Sequence, residues 1–114
     1  MHEISLVRNI FRTLESEFRE DELERLSQID LKVGLLSNVE PILMQNAFEA
    51  VTEDEQRFLD AKLLVNVVPI IIKCELCGDE SEVKNYSFKC RNGHPTKNII
   101  KGEELTIERV HIND

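Results

Sequence analysis

Three cysteines and one histidine crowd into a short stretch of this chain: Cys74-Glu75-Leu76-Cys77 and, after a twelve-residue loop, Cys90-Arg91-Asn92-Gly93-His94. These are all of its cysteines. Two short-spaced pairs joined by a loop are what a tetrahedral zinc site needs, because each pair grips the ion from one turn. Thiolate and imidazole suit Zn(II), a borderline-soft ion with no geometry imposed by its d electrons. A disulfide framework fits poorly, since three cysteines leave one over. With four protein ligands no position stays open for water or substrate, so such a zinc is structural and the chain is not an enzyme.

A second constellation opens the chain, Met1-His2-Glu3. An imidazole at position two closes a chelate ring with its own backbone amide, and further backbone nitrogens lie alongside. Nitrogen-rich, nearly planar sets suit Ni(II) and Cu(II) better than Zn(II). Met1 should persist, because its removal requires a small second residue and His2 is large. On the residues alone, a mobile terminus with a chance histidine explains His2 better than a ligand does.

The elements that must position these groups follow from hydrophobic spacing. Val7, Ile10, Phe11, Leu14 and Phe18 predict an amphipathic helix over 4–19. The charged run Arg19 to Arg25 extends or follows it. Ile29, Leu31, Val33 and Leu35 alternate with Asp30, Lys32 and Gly34, a strand with one buried face. Pro41 fits the first turn of a second helix with Glu40 near its N-cap; Met44, Ala47, Phe48 and Val51 form its stripe. Thr52 and Glu55 have capping-box spacing for another short turn through Leu59. Residues 62–73 are β-branched and run into Cys74, with a break or edge at Pro69. A short strand is expected around Tyr86 to Lys89. Residues 103–112 form a last strand whose phase slips near Glu108–Arg109, the sign of a bulge.

The order helix, strand, helix, strand, metal insert, strand predicts a small α/β or α+β fold. In it a three-stranded sheet with two helices on one face carries an inserted zinc-ribbon-like module. The division is 1–68 plus 101–114 for the first domain and 69–100 for the zinc domain, with hinges near Pro69–Ile72 and Ile100–Gly102. At 114 residues this is one unit with a satellite too small to build its own core without a metal. A net charge of −8 repels phosphate backbones and argues against nucleic acid. The longest apolar run, Val65 to Ile72, is broken by Asn66 and Pro69, too short to span a membrane. Thiols kept for metal, with no signal-peptide character, predict the cytoplasm.

Three motifs carry a resemblance to a known family. Met-His-Glu-Ile-Ser-Leu at the start, Gly34-Leu35-Leu36-Ser37-Asn38-Val39-Glu40-Pro41 followed by Ala47-Phe48-Glu49, and Ile99-Ile100-Lys101-Gly102-Glu103-Glu104-Leu105 after the metal loop resemble the HypA/HybF family. These are the nickel-incorporation proteins of NiFe-hydrogenase maturation. The resemblance implies a nickel domain plus a zinc domain and a chaperone that carries Ni(II) to the hydrogenase large subunit precursor. Its companions would be a maturation GTPase and, in some members, the urease accessory proteins. It places the nickel-binding imidazole on His2, with Met1 and the backbone nitrogens of His2 and Glu3 beside it. An acidic nickel ligand of some members falls on Glu40, where a carboxylate just before Pro41 would equally stabilise the helix N-terminus. The competing function is a zinc-ribbon interaction module that handles no nickel. Monomer and homodimer both stay open.

One departure matters. The family usually offers two Cys-x-x-Cys pairs, whereas here Gly93 occupies the fourth cysteine's place and His94 follows one position later. A ligating imidazole must be deprotonated, and an ordinary imidazole titrates near pH ~6.5, so mild acid should weaken this site more than a four-thiolate one. Zinc retention compared in wild type and His94→Cys as pH falls from about 7.5 to about 5.5 is expected to separate the two; equal loss would reject the idea.

Overall fold

The computed structural model describes residues 3–113, and of Arg57 the backbone alone. The helical spacing of the first segment becomes α1, Glu3–Glu17, with Val7, Phe11 and Leu14 buried. A single turn follows, α2, Glu20–Leu23. The Glu22 carboxylate accepts the Arg19 N–H at 3.0 Å and so closes its start. The alternating segment is β1, Leu26–Gly34, longer at its start than expected and ending before Leu35, which begins a 3-10 turn, Leu35–Ser37.

Pro41 opens α3, Pro41–Asp54, and Met44, Ala47, Phe48 and Val51 are its buried stripe. The expected cap at Thr52 does not form. Thr52 lies inside α3, buried, with its hydroxyl donating to the Glu49 carbonyl at 3.1 Å, and the short 3-10 turn begins at Gln56 instead. A mid-helix threonine that bonds back to its own turn has no need to end the helix.

β2, Lys62–Val68, runs parallel to β1, so β1–α3–β2 is a crossover unit. β6, Leu105–Ile112, returns to the other side of β1, antiparallel, giving the order β2-β1-β6. Asp30 pairs with Arg109 and Leu31 with Ile107, so Glu108 is the extra residue of the expected bulge. Ile29, Leu31 and Val33 face the helices, where Phe11 stacks on Phe58 at 4.4 Å and on Phe48 at 5.7 Å between ring centres. Full burial of each such side chain is worth about 1.5–3 kcal/mol. The N-terminal turn of α1 (Glu3, Ile4) lies beside Leu43 and Asn46, and its later turns (Arg12, Glu15) beside Asp54 and Glu55, so the two helices run in the same direction.

Pro69 separates β2 from β3, Ile71–Lys73, which belongs to a second sheet with β4, Glu80–Glu82, and β5, Ile99–Lys101. Ile70, Ile72 and Val83 form its buried cluster, with Leu36, Phe88 and Ile99 packed against it. No strand forms over Tyr86–Lys89. Asn85 and Tyr86 adopt left-handed backbone, at φ 55° and 58°, which interrupts a ladder, and only the single bridges Lys84–Ser87 and Lys89–Pro95 remain. The expected hinges are mostly strand: Ile71 pairs with Lys101 and Ile72 with Ile99. Between the sheets the backbone is keyed. The Gly34 N–H donates to the Glu104 carbonyl and the Leu36 N–H to the Gly102 carbonyl, each at 2.7 Å. A Cβ on Gly34 would stand 2.1 Å from the Gly102 oxygen, so no other residue fits there without moving backbone.

On the sheet face away from the helices, Asp30 is 7% exposed. His111 Nε2 lies 3.0 Å from one of its oxygens, and the Gln28 amide donates to the other at 2.6 Å. His111, led by this contact, together with Gln28 holds the Asp30 carboxyl below its ordinary range. A carboxylate depressed by folding stabilises at pH above its unfolded value and loses that contribution as pH falls through the folded one. The gap in urea midpoint between wild type and Asp30→Asn is therefore expected to shrink from about pH 5 to about pH 2.5, and a constant gap would contradict the pairing.

Candidate metal centre

β3 ends at Lys73, so Cys74 leaves directly from a strand. The first turn closes with the Gly78 N–H donating to the Cys74 carbonyl at 2.8 Å and the Cys74 N–H to the Asp79 carbonyl at 2.9 Å. The second is the tip of a hairpin in which the Thr96 N–H donates to the Phe88 carbonyl at 3.0 Å, and the Cys90 N–H to the His94 carbonyl at 3.0 Å. The buried Thr96 ties the two together, its hydroxyl donating to the Lys73 carbonyl at 3.3 Å.

The four side chains converge. Their ligand atoms lie within 4.8 Å of one another. His94 Nδ1 is 3.8 Å from the sulfur of Cys74, 3.7 Å from that of Cys77 and 3.5 Å from that of Cys90, and the Cys77 and Cys90 sulfurs are 3.5 Å apart. A tetrahedron with metal–sulfur bonds of about 2.3 Å and metal–nitrogen bonds of about 2.0 Å has edges of about 3.8 Å between sulfurs and about 3.5 Å from sulfur to nitrogen. The donor set thus fits one tetrahedral ion and closes around it.

The move from Gly93 to His94 has a backbone explanation. In the first turn the left-handed glycine, Gly78 at φ +71°, follows the second cysteine; in the second, Gly93 at φ +84° stands one position earlier, where that cysteine would be. The tight turn is thereby made before the ligand, and His94 extends back to it with the nitrogen nearest its own backbone. An early glycine beside a late histidine is a sequence signal that ligand spacing alone does not use. The His94 N–H also points at the Cys90 sulfur, 3.4 Å away. Burial opposes ionisation of Cys90, but the backbone N–H groups of His94 and Asn92, with the Cys77 and Cys74 thiols, outweigh it and bring the thiol down to about 6. The Cys74 thiol, followed by that of Cys90, pushes Cys77 the other way.

The remaining predicted residues lie elsewhere. Glu3 is the first residue of α1, and Glu40 is the exposed N-cap of α3. The Glu40 carbonyl accepts the Met44 N–H at 2.9 Å, while its carboxylate makes no capping hydrogen bond. Because α1 and α3 run the same way, both residues sit at one end of the helix layer. Met1 and His2 lie outside the described residues. His111, the other histidine of the chain, is engaged by Asp30.

The profile of the hydrogenase/urease nickel-incorporation metallochaperone family, HypA, matches residues 1–112. The chain belongs to that family. Among HypA relatives, the hydrogenase maturation factor of Shewanella oneidensis is 31% identical over 114 residues, covering 98% of this chain and 95% of the relative. That of Moorella thermoacetica is 32% identical over 109 residues, covering 95% and 96%. The solution structure of the nickel metallochaperone HypA from Helicobacter pylori superposes with a TM-score of 0.65 at 22% identity, covering 98% of this chain and 97% of that one. A second HypA solution structure reaches 0.69 over 99% and 97%. The shared fold is the mixed α+β arrangement of two three-stranded sheets described above. Among the described residues no helix is long and apolar enough to cross a membrane.

Proposed function

We propose that this protein is a nickel metallochaperone of hydrogenase maturation, working in the cytoplasm, that holds one resident zinc and carries one passing Ni(II). The observation that carries the reading is that the family match begins at residue 1, so Met1-His2-Glu3 falls within it. Cys74, Cys77, Cys90 and His94 would hold the zinc, whose role is to brace the second sheet. The four-ligand shell leaves no position for a reacting molecule, and the protein acts as a carrier rather than a catalyst. The units divide as residues 1–68 plus 101–114 around the cargo end and 69–100 around the zinc, a division supported by the two separate buried clusters.

Ni(II) is the cargo. His2 supplies its imidazole, Met1 and the backbone nitrogens of His2 and Glu3 complete a planar nitrogen set, and Glu40 offers a carboxylate from the neighbouring helix start. A carrier needs few ligands at an exposed place, so that a recipient can compete for the ion. The recipient is the hydrogenase large subunit precursor, with a maturation GTPase as companion and urease accessory proteins as further recipients; membranes and nucleic acids are not partners. Native mass spectrometry of untagged protein, with and without added nickel, tests the whole reading. One zinc per chain before addition and one further nickel after it are expected. A zinc-only product at nickel saturation would leave an interaction module and remove the chaperone reading.

A further inference from the structure

The charge of this chain is unevenly placed. Between Ile71 and Lys101, the span of the second sheet, six Lys and Arg face four Asp and Glu, a net of +2 inside a chain of −8. The remainder therefore carries −10. The two most exposed large hydrophobic side chains among the described residues, Leu76 at 79% and Tyr86 at 73%, also fall in this span. Leu76 stands in the first ligand turn, held out by the backbone closure that directs Cys74 and Cys77 inward.

Beside that turn lies a pocket of about 640 Å³ walled by Cys74, Leu76, Phe88, Pro95 and Thr96, with Glu75 and Lys97 at its polar edge. Phe88 roots the wall in the buried cluster. Two further exposed lysines adjoin these residues through their backbones: the Lys73 carbonyl accepts the Thr96 hydroxyl, and the Lys89 backbone bridges to Pro95. Of the charged side chains, Lys97 and Glu75 line the pocket itself, and the span around it carries the net +2. An apolar floor set in a net-positive span complements a peptide with an apolar centre and acidic flanks. A nucleic acid would need stacked aromatic platforms, and this wall has one phenylalanine, half covered by the sheet.

We infer that this pocket, beside the Cys74–Cys77 turn, is a docking site for an acidic, apolar-centred segment of a partner protein. The site uses the ribbon as a basic handle on an otherwise acidic molecule. The cargo end, which lies on the acidic remainder, takes no part in it, so the inference stands whether or not nickel binds at the N-terminus. Long-range attraction orients the acidic segment, and burial of its apolar centre against Leu76 and Phe88 holds it.

The test is an NMR titration of zinc-loaded, isotope-labelled full chain with a seven-residue peptide having a Leu-Phe centre flanked by Glu and Asp. A second peptide reverses every charge. Amide shifts confined to Leu76, Phe88, Thr96 and Lys97, and absent with the reversed peptide, are expected. Leu76→Ser and Lys97→Glu should each weaken binding roughly tenfold or more, in line with losing one apolar anchor or reversing a rim charge. Both positions are exposed, and retention of one zinc per chain verifies that the variants fold. Equal shifts with the reversed peptide, shifts centred on α1 and α3, unaltered affinity in both variants, or displacement of the peptide by a single-stranded oligonucleotide would each overturn the proposal.

Discussion

Replacing Cys90 with serine should strip the protein of zinc and melt the second sheet while leaving the first standing. Zinc content should fall from one per chain to below about a tenth, because structural zinc sites contribute about 10–16 kcal/mol of binding at neutral pH and depend on every thiolate. Cys90 is the sensitive choice. It is buried, receives the His94 N–H and carries the thiol brought to about 6, whereas a serine hydroxyl stays protonated and cannot take its place. Without the ion, three buried apolar side chains, Ile70, Ile72 and Val83, remain to order about thirty residues, and such a core cannot offset the chain entropy. Hydrogen exchange should report it: fast exchange at Ile72 and Val83, unchanged protection at Ile29 and Leu31. Wild type treated with chelator should reproduce the pattern. Retained zinc and retained protection in Cys90→Ser would show that the four-residue cluster is not a metal site.

The second large effect is expected at the other end of the chain. His2→Ala should lower nickel affinity by at least about a hundredfold, since disturbing even a supporting partner of a metal ligand costs about 10- to 100-fold. Isothermal titration of untagged protein is the measurement, and a version with residues added before Met1 should behave like His2→Ala, because the added chain converts the terminal amine into an amide. Glu40→Gln is expected to have the smaller effect, as the carboxylate contributes charge and one ligand at most. Zinc content should stay at one per chain in all three. Undiminished nickel affinity in His2→Ala would remove that imidazole from the mechanism.

Most of the first sheet could be read directly from residue spacing. Ile29, Leu31 and Val33 declare a one-faced strand, and Leu105, Ile107, Val110 and Ile112 change parity where Glu108 bulges. Periodicity was less useful where local chemistry had a choice. Thr52 with Glu55 looks like a helix start, but a threonine hydroxyl that satisfies itself on Glu49 lets the helix continue. Tyr86 to Lys89 is rich in strand-forming types, yet the left-handed residues at Asn85 and Tyr86 turn the chain there, while Glu80–Glu82, polar and unremarkable in pattern, pairs with β3 because that strand needs a neighbour on each side. The metal cluster was legible because ligand identity and spacing are covalent facts. The position of Gly93 was visible too, but its meaning depended on a backbone angle that the sequence does not state. The role of Gly34 was hidden altogether, since what excludes a side chain there is a carbonyl sixty-eight positions away.

The pairing of β6 with β1 also sets an order of assembly. β1 is complete once residue 34 has been synthesised, yet one of its edges waits for residues 105–112, the end of the described chain. The cysteine turns, 74–94, precede that last strand in the chain. The half that is translated first is the half that closes last.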